Sequence, residues 1–226
     1  NGLLEVERDH NKMENTFMGN LQHVKNGAET KKSAVYIKWE KEFNGKTEVN
    51  LSGKNLTDED ALAIGELLKT NNTLTRLFLG NNNITDVQSI GEALKTNNIL
   101  KELRLDNNNI TDVQSIGEGL KTNNTLKTLV LDNNNITDVQ SIGDGLKTNN
   151  TLSYLLLENN NITDDSGIQS IIDGLKTNNT LKELTLSNNQ LSDNMKSQLK
   201  AIQQYKRDGS NGYQQVNGMW MFSHNN

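Results

Sequence analysis

The 226-residue sequence has no cysteine and no proline, and aromatic residues make up only 4% of it. The absence of cysteine excludes disulfide scaffolds, thiolate metal sites and cysteine nucleophiles. No apolar run reaches the roughly 18 residues that cross a bilayer, and the first residues lack the form of a signal peptide. Lys and Arg number 23 against 28 Asp and Glu, which gives no basic footprint for nucleic acid. We therefore expect neither a membrane span nor a nucleic-acid partner.

Apolar content is also low, with 33% hydrophobic residues and a mean hydropathy of -0.71. Leu, Ile, Val and Phe still make up a quarter of the chain, above the roughly 20% below which disorder is expected. The surplus is 37 Asn, a residue that disfavours the interiors of helices and strands. The composition predicts a lean core and many turns. Because the chain begins with Asn1 rather than Met, we expect a segment of a longer or processed chain, from which a targeting signal could have been removed.

A repeat accounts for the middle of the chain. Leu77, Leu103, Leu129 and Leu155 recur every 26 residues, and the next interval, to Leu184, is 29. Residues 100–110 read LKELRLDNNNI and fit the leucine-rich-repeat pattern L-x-x-L-x-L-x-x-N-x-I. The same frame begins at Leu74, Leu126, Leu152 and Leu181, and a degenerate copy begins at Lys46, which makes six units.

Each unit predicts a strand followed by a helix. Alternate leucines face inward from the strand, and apolar residues at i, i+3 and i+7, such as Val87, Ile90 and Leu94, form one face of the helix. Thr85 and Gln88 have capping-box spacing, and the KTNN segments predict left-handed residues at helix ends. Stacked amides at the strand exit predict a structural ladder of Asn82, Asn108, Asn134, Asn160 and Asn189.

The predicted fold class is α/β: a leucine-rich-repeat solenoid of six units with terminal caps. Strands pack more closely than helices, so the array should bend into a horseshoe with strands on the concave face and helices on the convex face. The 26-residue units predict short or irregular middle helices. The predicted domains are an N-terminal cap of helix plus edge strand (1–45), the repeats (46–193), and a C-terminal capping helix with a flexible tail (194–226).

Apolar spacing in the caps supports this division. A helix is predicted through Met13, Phe17, Leu21 and Val24, and a strand over residues 34–39 from the alternation of Val35, Ile37 and Trp39. A last helix is predicted through Leu191, Met195, Leu199 and Ile202. The apolar cluster around Trp220 either docks back onto the cap or binds another molecule.

The alternation of LxxLxLxxNxI with a helix ending in LKTNNTL resembles the ribonuclease-inhibitor type of leucine-rich repeat, over about residues 46–202. That class includes ribonuclease inhibitor, the Ran GTPase-activating protein, tropomodulin and the sensor ends of NOD-like receptors. The resemblance implies protein binding on the concave face, its rim or the adjoining loops. The chain departs from ribonuclease inhibitor in its short middle units and its lack of cysteine.

Residues that differ between near-identical units are candidates for binding a partner. Aromatic, apolar and Arg side chains on the concave face are the types enriched at interface hot spots. The candidate partner-binding residues are Arg76, Phe78, Glu102, Arg104, Val130, Tyr154, Leu156, Glu158 and Glu183. The alternative is that these residues are solvent-exposed and their sequence varies without a function, or that the terminal segments cover some of them. Asp106, Asp132 and Glu158 form a further column, for which the alternatives are a cation site, a dock for a basic partner surface, or ordinary solvated carboxylates; we favour the last.

No repeat contains a His, and the chain has no P-loop, dinucleotide fingerprint or Ser/His/Asp grouping, so we expect no enzyme, cofactor or metal. Sequons such as Asn83 and Asn123 would indicate a glycosylated secreted protein, but turn and cap formation explains them without sugar. We predict a cytoplasmic, monomeric protein-interaction module. The alternatives are a GTPase-regulating or cytoskeletal-capping module, and the repeat part of a larger bacterial effector delivered into a host cell.

Overall fold

The computed structural model describes residues 32–163, 165–199, 212–216 and 219–223, in which short strands alternate with helices. The repeat strands, three residues each, are β1 Glu48–Asn50, β2 Arg76–Phe78, β3 Glu102–Arg104, β4 Thr128–Val130, β5 Tyr154–Leu156 and β6 Glu183–Thr185. The helices are α1 Ala34–Phe43, α2 Asp58–Thr70, α3 Gln88–Leu94, α4 Gln114–Thr122, α5 Gln140–Thr148, α6 Asp165–Thr177 and α7, residues 193–199. Within these residues no helix is long and apolar enough to cross a membrane.

The strands β1 to β6 form one open parallel sheet in chain order. Equivalent positions pair in register, so that Leu77 lies opposite Leu103 and Leu103 opposite Leu129. Since each strand is followed by a helix and then by the next strand of the same sheet, the units stack into a solenoid. The predicted α/β repeat solenoid is confirmed.

One continuous core runs through the array from Trp39 to Leu199. The inward leucines of the strands, such as Leu77, Leu103 and Leu129, are fully buried, and so are the helix residues Ile90, Ile116 and Ile142 that face them. Each unit adds only a few apolar side chains to this core. The low apolar content of the chain is therefore sufficient for a core that neighbouring units share.

The middle helices are short, as predicted. Helix α3 has 7 residues and α4 and α5 have 9 each, whereas α2 and α6 have 13. Glycines let neighbouring helices approach closely, because a Cβ on Gly91, Gly117 or Gly143 would overlap the backbone of the next helix. Glycine is required at these positions for packing rather than for backbone conformation.

The helices of the middle units begin differently from the prediction. Gln88 is the first residue of α3, and its N–H donates to Asp86 Oδ1 at 2.7 Å. The same bond recurs in the next two units, from Gln114 to Asp112 and from Gln140 to Asp138. Thr85 instead donates to Asp58 of the preceding unit. The predicted capping box is wrong because the Asp side chain forms a local turn ahead of the helix.

The strand-exit asparagines form a hydrogen-bonded ladder. Asn108 Nδ2 donates to Leu105 O of its own unit at 3.1 Å and to Leu79 O of the preceding unit at 3.0 Å. Its Oδ1 accepts from Ile84 N–H of the preceding unit at 3.1 Å. Equivalent bonds are made by Asn82, Asn134, Asn160 and Asn189. Each unit therefore completes the turn of the unit before it.

A second asparagine ladder, which was not predicted, lies at the helix ends. Asn123 is 5% exposed, and its Nδ2 donates to Leu94 O and Asn97 O of the preceding unit at 2.8 and 3.0 Å. Its Oδ1 accepts from the N–H groups of Thr125 and Leu126. The same bonds are made by Asn97, Asn149 and Asn178. The ladder ties each helix end to the unit before it.

The left-handed asparagines lie at the strand exits, not at the helix ends. Asn123 closes α4 with a φ of -71°, so the prediction of left-handed residues in the KTNN segments is wrong. The asparagines with positive φ are Asn55, Asn81, Asn107, Asn133, Asn159 and Asn188. The chain turns sharply off each strand there, and Asn tolerates the left-handed conformation better than most residues.

The segment 34–39, predicted as an edge strand, is part of helix α1. Ser33 caps this helix, and Trp39 and Phe43, four residues apart, are buried. Ile37, which a strand would have placed on the same face as Trp39, is 38% exposed. Alternation over only six residues does not distinguish a strand from a helix. Once Phe43 is included, Trp39 and Phe43 have the spacing of one helix face. The helix predicted through Met13, Phe17, Leu21 and Val24 lies outside the described residues.

The C-terminal segment extends the sheet. Strands β7 Gly212–Val216 and β8 Met219–Ser223 form an antiparallel hairpin, and β8 pairs with β6 so that Trp220 lies opposite Leu184. This segment was expected to be a flexible tail, and that expectation is wrong for the two strands. Pairing with β6 agrees with docking, and it covers a sheet edge that would otherwise be open. The bounds of the three predicted domains stay a prediction.

Candidate partner-binding face

The outward residues of the strands form a surface that we call the strand face. Register pairing aligns these residues in columns across the sheet. The first column is Glu48, Arg76, Glu102, Thr128, Tyr154 and Glu183, and the second is Asn50, Phe78, Arg104, Val130, Leu156 and Thr185. A third column follows the strands at Gly80, Asp106, Asp132, Glu158 and Ser187. The asparagine ladders fix the backbone under this face, so the surface is preformed.

Cations in the N-terminal half of the strand face are already paired. Arg76 forms an ion pair with Glu48, and Arg104 Nε lies 2.6 Å from Glu102 Oε1. The guanidinium of Arg104 also lies over the ring of Phe78, with its Cζ 5.5 Å from the ring centroid. The two arginines are exposed and Phe78 is partly exposed. The charges of this half of the strand face are therefore nearly balanced.

The C-terminal half exposes apolar side chains. Tyr154 is 39% exposed, and Leu156 is partly exposed beside it. Val130, in contrast, is only 5% exposed, so the prediction that it is available to a partner is wrong. Val130 lies between Arg104 and Leu156 on the neighbouring strands, and a short β-branched side chain between two longer ones has little surface left. The apolar contact area is therefore centred on Tyr154 and Leu156.

Four carboxylates lie on the strand face on two sides of this apolar area. Glu183 lies opposite Tyr154 in the sheet, and Glu158, Asp132 and Asp106 form a column that follows β5, β4 and β3. Asp132 Oδ1 accepts the backbone N–H of Glu158 at 2.7 Å, and Glu158 Oε1 accepts from Ser187 Oγ at 2.6 Å. Asp106 accepts from Asn107 Nδ2 at 2.9 Å. None of these four forms an ion pair with another described residue. The C-terminal half of the strand face is thus acidic, and its four carboxylates are not neutralised by ion pairs with the residues that the structure describes.

The geometry of this cluster changes the protonation of Asp132. The pKa of its carboxyl is raised from 3.8 to about 6, first by burial and then by the negative charges of Glu158, Asp106 and Glu183. The hydrogen bond from the backbone of Glu158 acts in the opposite direction. Ionised Asp132 is therefore held in an unfavourable field, which a cation placed over the cluster would relieve.

The structure places most of the predicted residues in two groups on the strand face, and Asp132 lies beside the second group. Arg76, Phe78, Glu102 and Arg104 cluster in the first half, and Tyr154, Leu156, Glu158 and Glu183 in the second. Asp132 was not among the predicted partner-binding residues, although its place between Asp106 and Glu158 in the repeat frame was visible. Within the described residues, no group of three or more His, Cys, Asp or Glu is arranged to hold a metal ion. His10, His23 and His224 lie outside those residues.

Protein-family models agree with the repeat architecture. Leucine-rich-repeat family models match residues 70–87, 122–139 and 180–201. No curated protein sequence matches the chain. Among solved structures, the structure described as Leiomodin-1 Actin-Binding Site 2 is similar, with a TM-score of 0.48 and 21% identity, over 77% of this chain and 88% of that chain.

The repeat matches, the strand register and the strand-exit asparagines together define the class. The chain contains leucine-rich repeats, and its fold is a leucine-rich-repeat solenoid. Its units carry an α-helix opposite each strand, as in the ribonuclease-inhibitor-like type.

Proposed function

We propose that the chain is a non-catalytic protein-interaction module that binds a protein partner through the strand face. This proposal is supported mainly by the side chains in the C-terminal half of that face. There Tyr154 and Leu156 are exposed among four carboxylates without ion-pair partners in the described part of the chain. This arrangement does not stabilise the isolated chain. It would stabilise a complex with a partner of complementary chemistry.

The chemistry of the face indicates what the partner presents. Lys or Arg side chains placed over Asp106, Asp132 and Glu158 would neutralise three charges that repel one another. An apolar group between them would cover Tyr154 and Leu156, and large side chains of this kind dominate interface energetics. In the N-terminal half, Arg104 is already paired with Glu102 and lies over Phe78, so this half offers contact area rather than unpaired charge. We therefore expect a basic partner surface with an apolar centre.

Paired charge variants test the assignment of the face. The strand-face variant carries Asp106→Asn, Glu158→Gln and Glu183→Gln. The matched control carries Glu92→Gln, Glu118→Gln and Asp144→Asn. It removes an equal number of negative charges, three, from the outer surface of the helices. Proteins captured by the wild-type chain are quantified against both variants, and the affinity of each captured protein is then measured.

The strand-face variant should lose about 10- to 100-fold in affinity, because three charge contacts of about 0.5 to 1 kcal/mol each are removed. The control should bind like the wild type. A second variant, in which Phe78, Arg104 and Tyr154 are each changed to Ser, should also lose binding. Equal binding by all variants, with circular dichroism spectra of folded protein, would show that the partner does not use the strand face.

A GTPase-regulating or cytoskeletal-capping role is not favoured by any particular contact of the strand face. Either role would appear in assays of GTP hydrolysis by small GTPases or of actin-end dynamics, in which the strand-face variant serves as the inactive control. No response of the wild-type chain would remove these alternatives. The third alternative, the repeat part of a larger effector, is tested by the sequence that flanks this segment in its gene.

A further inference from the structure

Seven of the ten sequons of the chain fall into two structural sets, and the other three, at Asn50, Asn55 and Asn71, have exposed or half-buried asparagines. In the first set the acceptor asparagines are exposed and lie in N-I-T triplets at Asn83, Asn109, Asn135 and Asn161. In the second set they are buried and lie in N-N-T triplets at Asn123, Asn149 and Asn178, which are 5%, 3% and 2% exposed. The chain has no proline, so no sequon is silenced by proline at its middle position.

The buried set has no free position for a sugar. N-glycosylation replaces one Nδ2 hydrogen with a bulky polar glycan. Asn149 uses its Nδ2 to donate to Leu120 O and to Asn123 O, both at 2.8 Å. Asn178 Nδ2 likewise donates to Leu146 O at 3.0 Å and to Asn149 O at 2.7 Å. Both hydrogens of each amide therefore point into the protein, where no glycan fits.

A glycan on this set would also break contacts between units. Each buried amide ties a helix end to the preceding unit, and its Oδ1 accepts two N–H groups of its own turn, as Asn149 does from Thr151 and Leu152. A sugar at Asn123, Asn149 and Asn178 would open three consecutive junctions of the array. The exposed set has no such role in the described structure, because the side chains of Asn109 and Asn135 lie on the surface.

We infer that the buried asparagine ladder makes this fold incompatible with N-glycosylation, and that the chain folds in a compartment that lacks the glycosylation machinery. Sugar is attached to sequons as the chain enters that compartment, before burial can protect an asparagine. The buried triplets would then be modified while still accessible. This inference concerns where the chain folds, and it is independent of which partner the strand face binds.

The chain itself supplies a matched variant. In the second unit the buried ladder residue is Asn97, but its triplet reads N-N-I because Ile99 stands where the other units have Thr. Asn97 makes the same ladder bonds, to Leu68 O at 2.7 Å and from Ile99 and Leu100 N–H. Isoleucine at this position is therefore compatible with the ladder and removes the sequon.

The test directs the full chain into the secretory pathway of mammalian cells behind a signal peptide. Three forms are compared: the wild type, a buried-set variant (Thr125→Ile, Thr151→Ile, Thr180→Ile) and an exposed-set variant that removes the same number of sequons, three of the four in the exposed set (Thr111→Ala, Thr137→Ala, Thr163→Ala). Glycan occupancy is measured by mass spectrometry, and folding by secretion yield and resistance to protease. The same three forms made in a bacterial cytosol establish that each sequence folds without sugar.

The wild type and the exposed-set variant should be glycosylated on the buried set, and should be retained or sensitive to protease. The buried-set variant should be secreted folded, with at least about a tenfold higher yield. Secretion of folded wild type with sugar on Asn123, Asn149 or Asn178 would overturn the inference. Folded wild type without sugar at these sites would also overturn it, as would failure of the buried-set variant to restore folding in cells although it folds in the bacterial cytosol.

Discussion

Replacement of a single ladder residue, Asn134→Ala, tests whether the strand-exit ladder stabilises the array. Asn134 Nδ2 donates to Leu105 O at 3.0 Å and to Leu131 O at 3.1 Å, and its Oδ1 accepts the Ile110 N–H at 3.0 Å. Asn134 and Ile110 are 6% and 0% exposed, so water cannot readily replace these bonds. The substitution removes these three hydrogen bonds, two of which join neighbouring units, together with a longer bond to Asp132 O at 3.3 Å.

The magnitude follows from the groups left without partners. Leaving the buried Ile110 N–H without an acceptor should cost about 1 to 3 kcal/mol of folding free energy. The loss of a donor to Leu105 O and Leu131 O should cost less, because each carbonyl oxygen has a second lone pair. We therefore expect the free energy of unfolding to fall by about 2 to 4 kcal/mol. For a chain of this size each kcal/mol lowers the Tm by about 2 to 4 °C, which gives a decrease of about 4 to 16 °C.

Urea denaturation followed by circular dichroism measures this loss, with Asn135→Ala as the matched control. Asn135 is the next residue in the chain, but its side chain is exposed, and a surface substitution of this kind changes stability by less than about 0.5 kcal/mol. A difference between the two variants smaller than about 0.5 kcal/mol would refute the structural role of the ladder.

Two further predictions concern Asp132 and Gly117. Because the pKa of Asp132 is about 6 in the folded chain and 3.8 ordinarily, its contribution to stability is present below pH 4 and is lost as the pH rises through 6. Asp132→Asn should therefore raise the free energy of unfolding by about 1 to 2 kcal/mol at pH 7.5, discounted for partial exposure, and should not raise it at pH 3.5, as measured by urea titration at both values. Gly117→Ala should destabilise the chain by about 1 to 3 kcal/mol in thermal unfolding, because its Cβ would overlap the backbone at Ser141.

Each of these has a result that would contradict it. A gain from Asp132→Asn that is equal at both pH values would mean that the raised pKa does not affect stability. For Gly117, the control is Glu118→Ala on the outer surface, which loses only the ion pair with Lys121. A neutral or stabilising Gly117→Ala would show that helix propensity, worth about 1 kcal/mol in favour of Ala, outweighs the close approach of the helices.

The sequence predicted the repeat architecture because its signals are local and recur. The 26-residue spacing of Leu77, Leu103 and Leu129 predicts strand register directly, and the short interval between strands predicts short helices. Repetition reduces the error of each single assignment. The six strands of the repeats and the short middle helices were therefore predicted correctly.

Features that occur once, or that depend on the neighbouring unit, were predicted less well. The alternation of Val35, Ile37 and Trp39 fits a strand and a helix equally over so short a segment, and packing of Phe43 against the first unit decides for the helix. Burial of Val130 depends on the lengths of side chains in two other units. The second asparagine ladder was visible in the recurring KTNN letters, but its bonds to the preceding unit cannot be inferred from one unit alone.

The direction of the ladder bonds has a consequence for synthesis of the chain. The turn after each strand is completed by an asparagine of the following unit, as Ile84 is by Asn108. The ribosome synthesises the earlier unit first. The hydrogen bonds that complete its turn can therefore form only after about 26 further residues have been added. Each unit should therefore become stable only after the following unit has been synthesised. A nascent chain that stops inside the array ends in a unit whose turn lacks the asparagine hydrogen bonds.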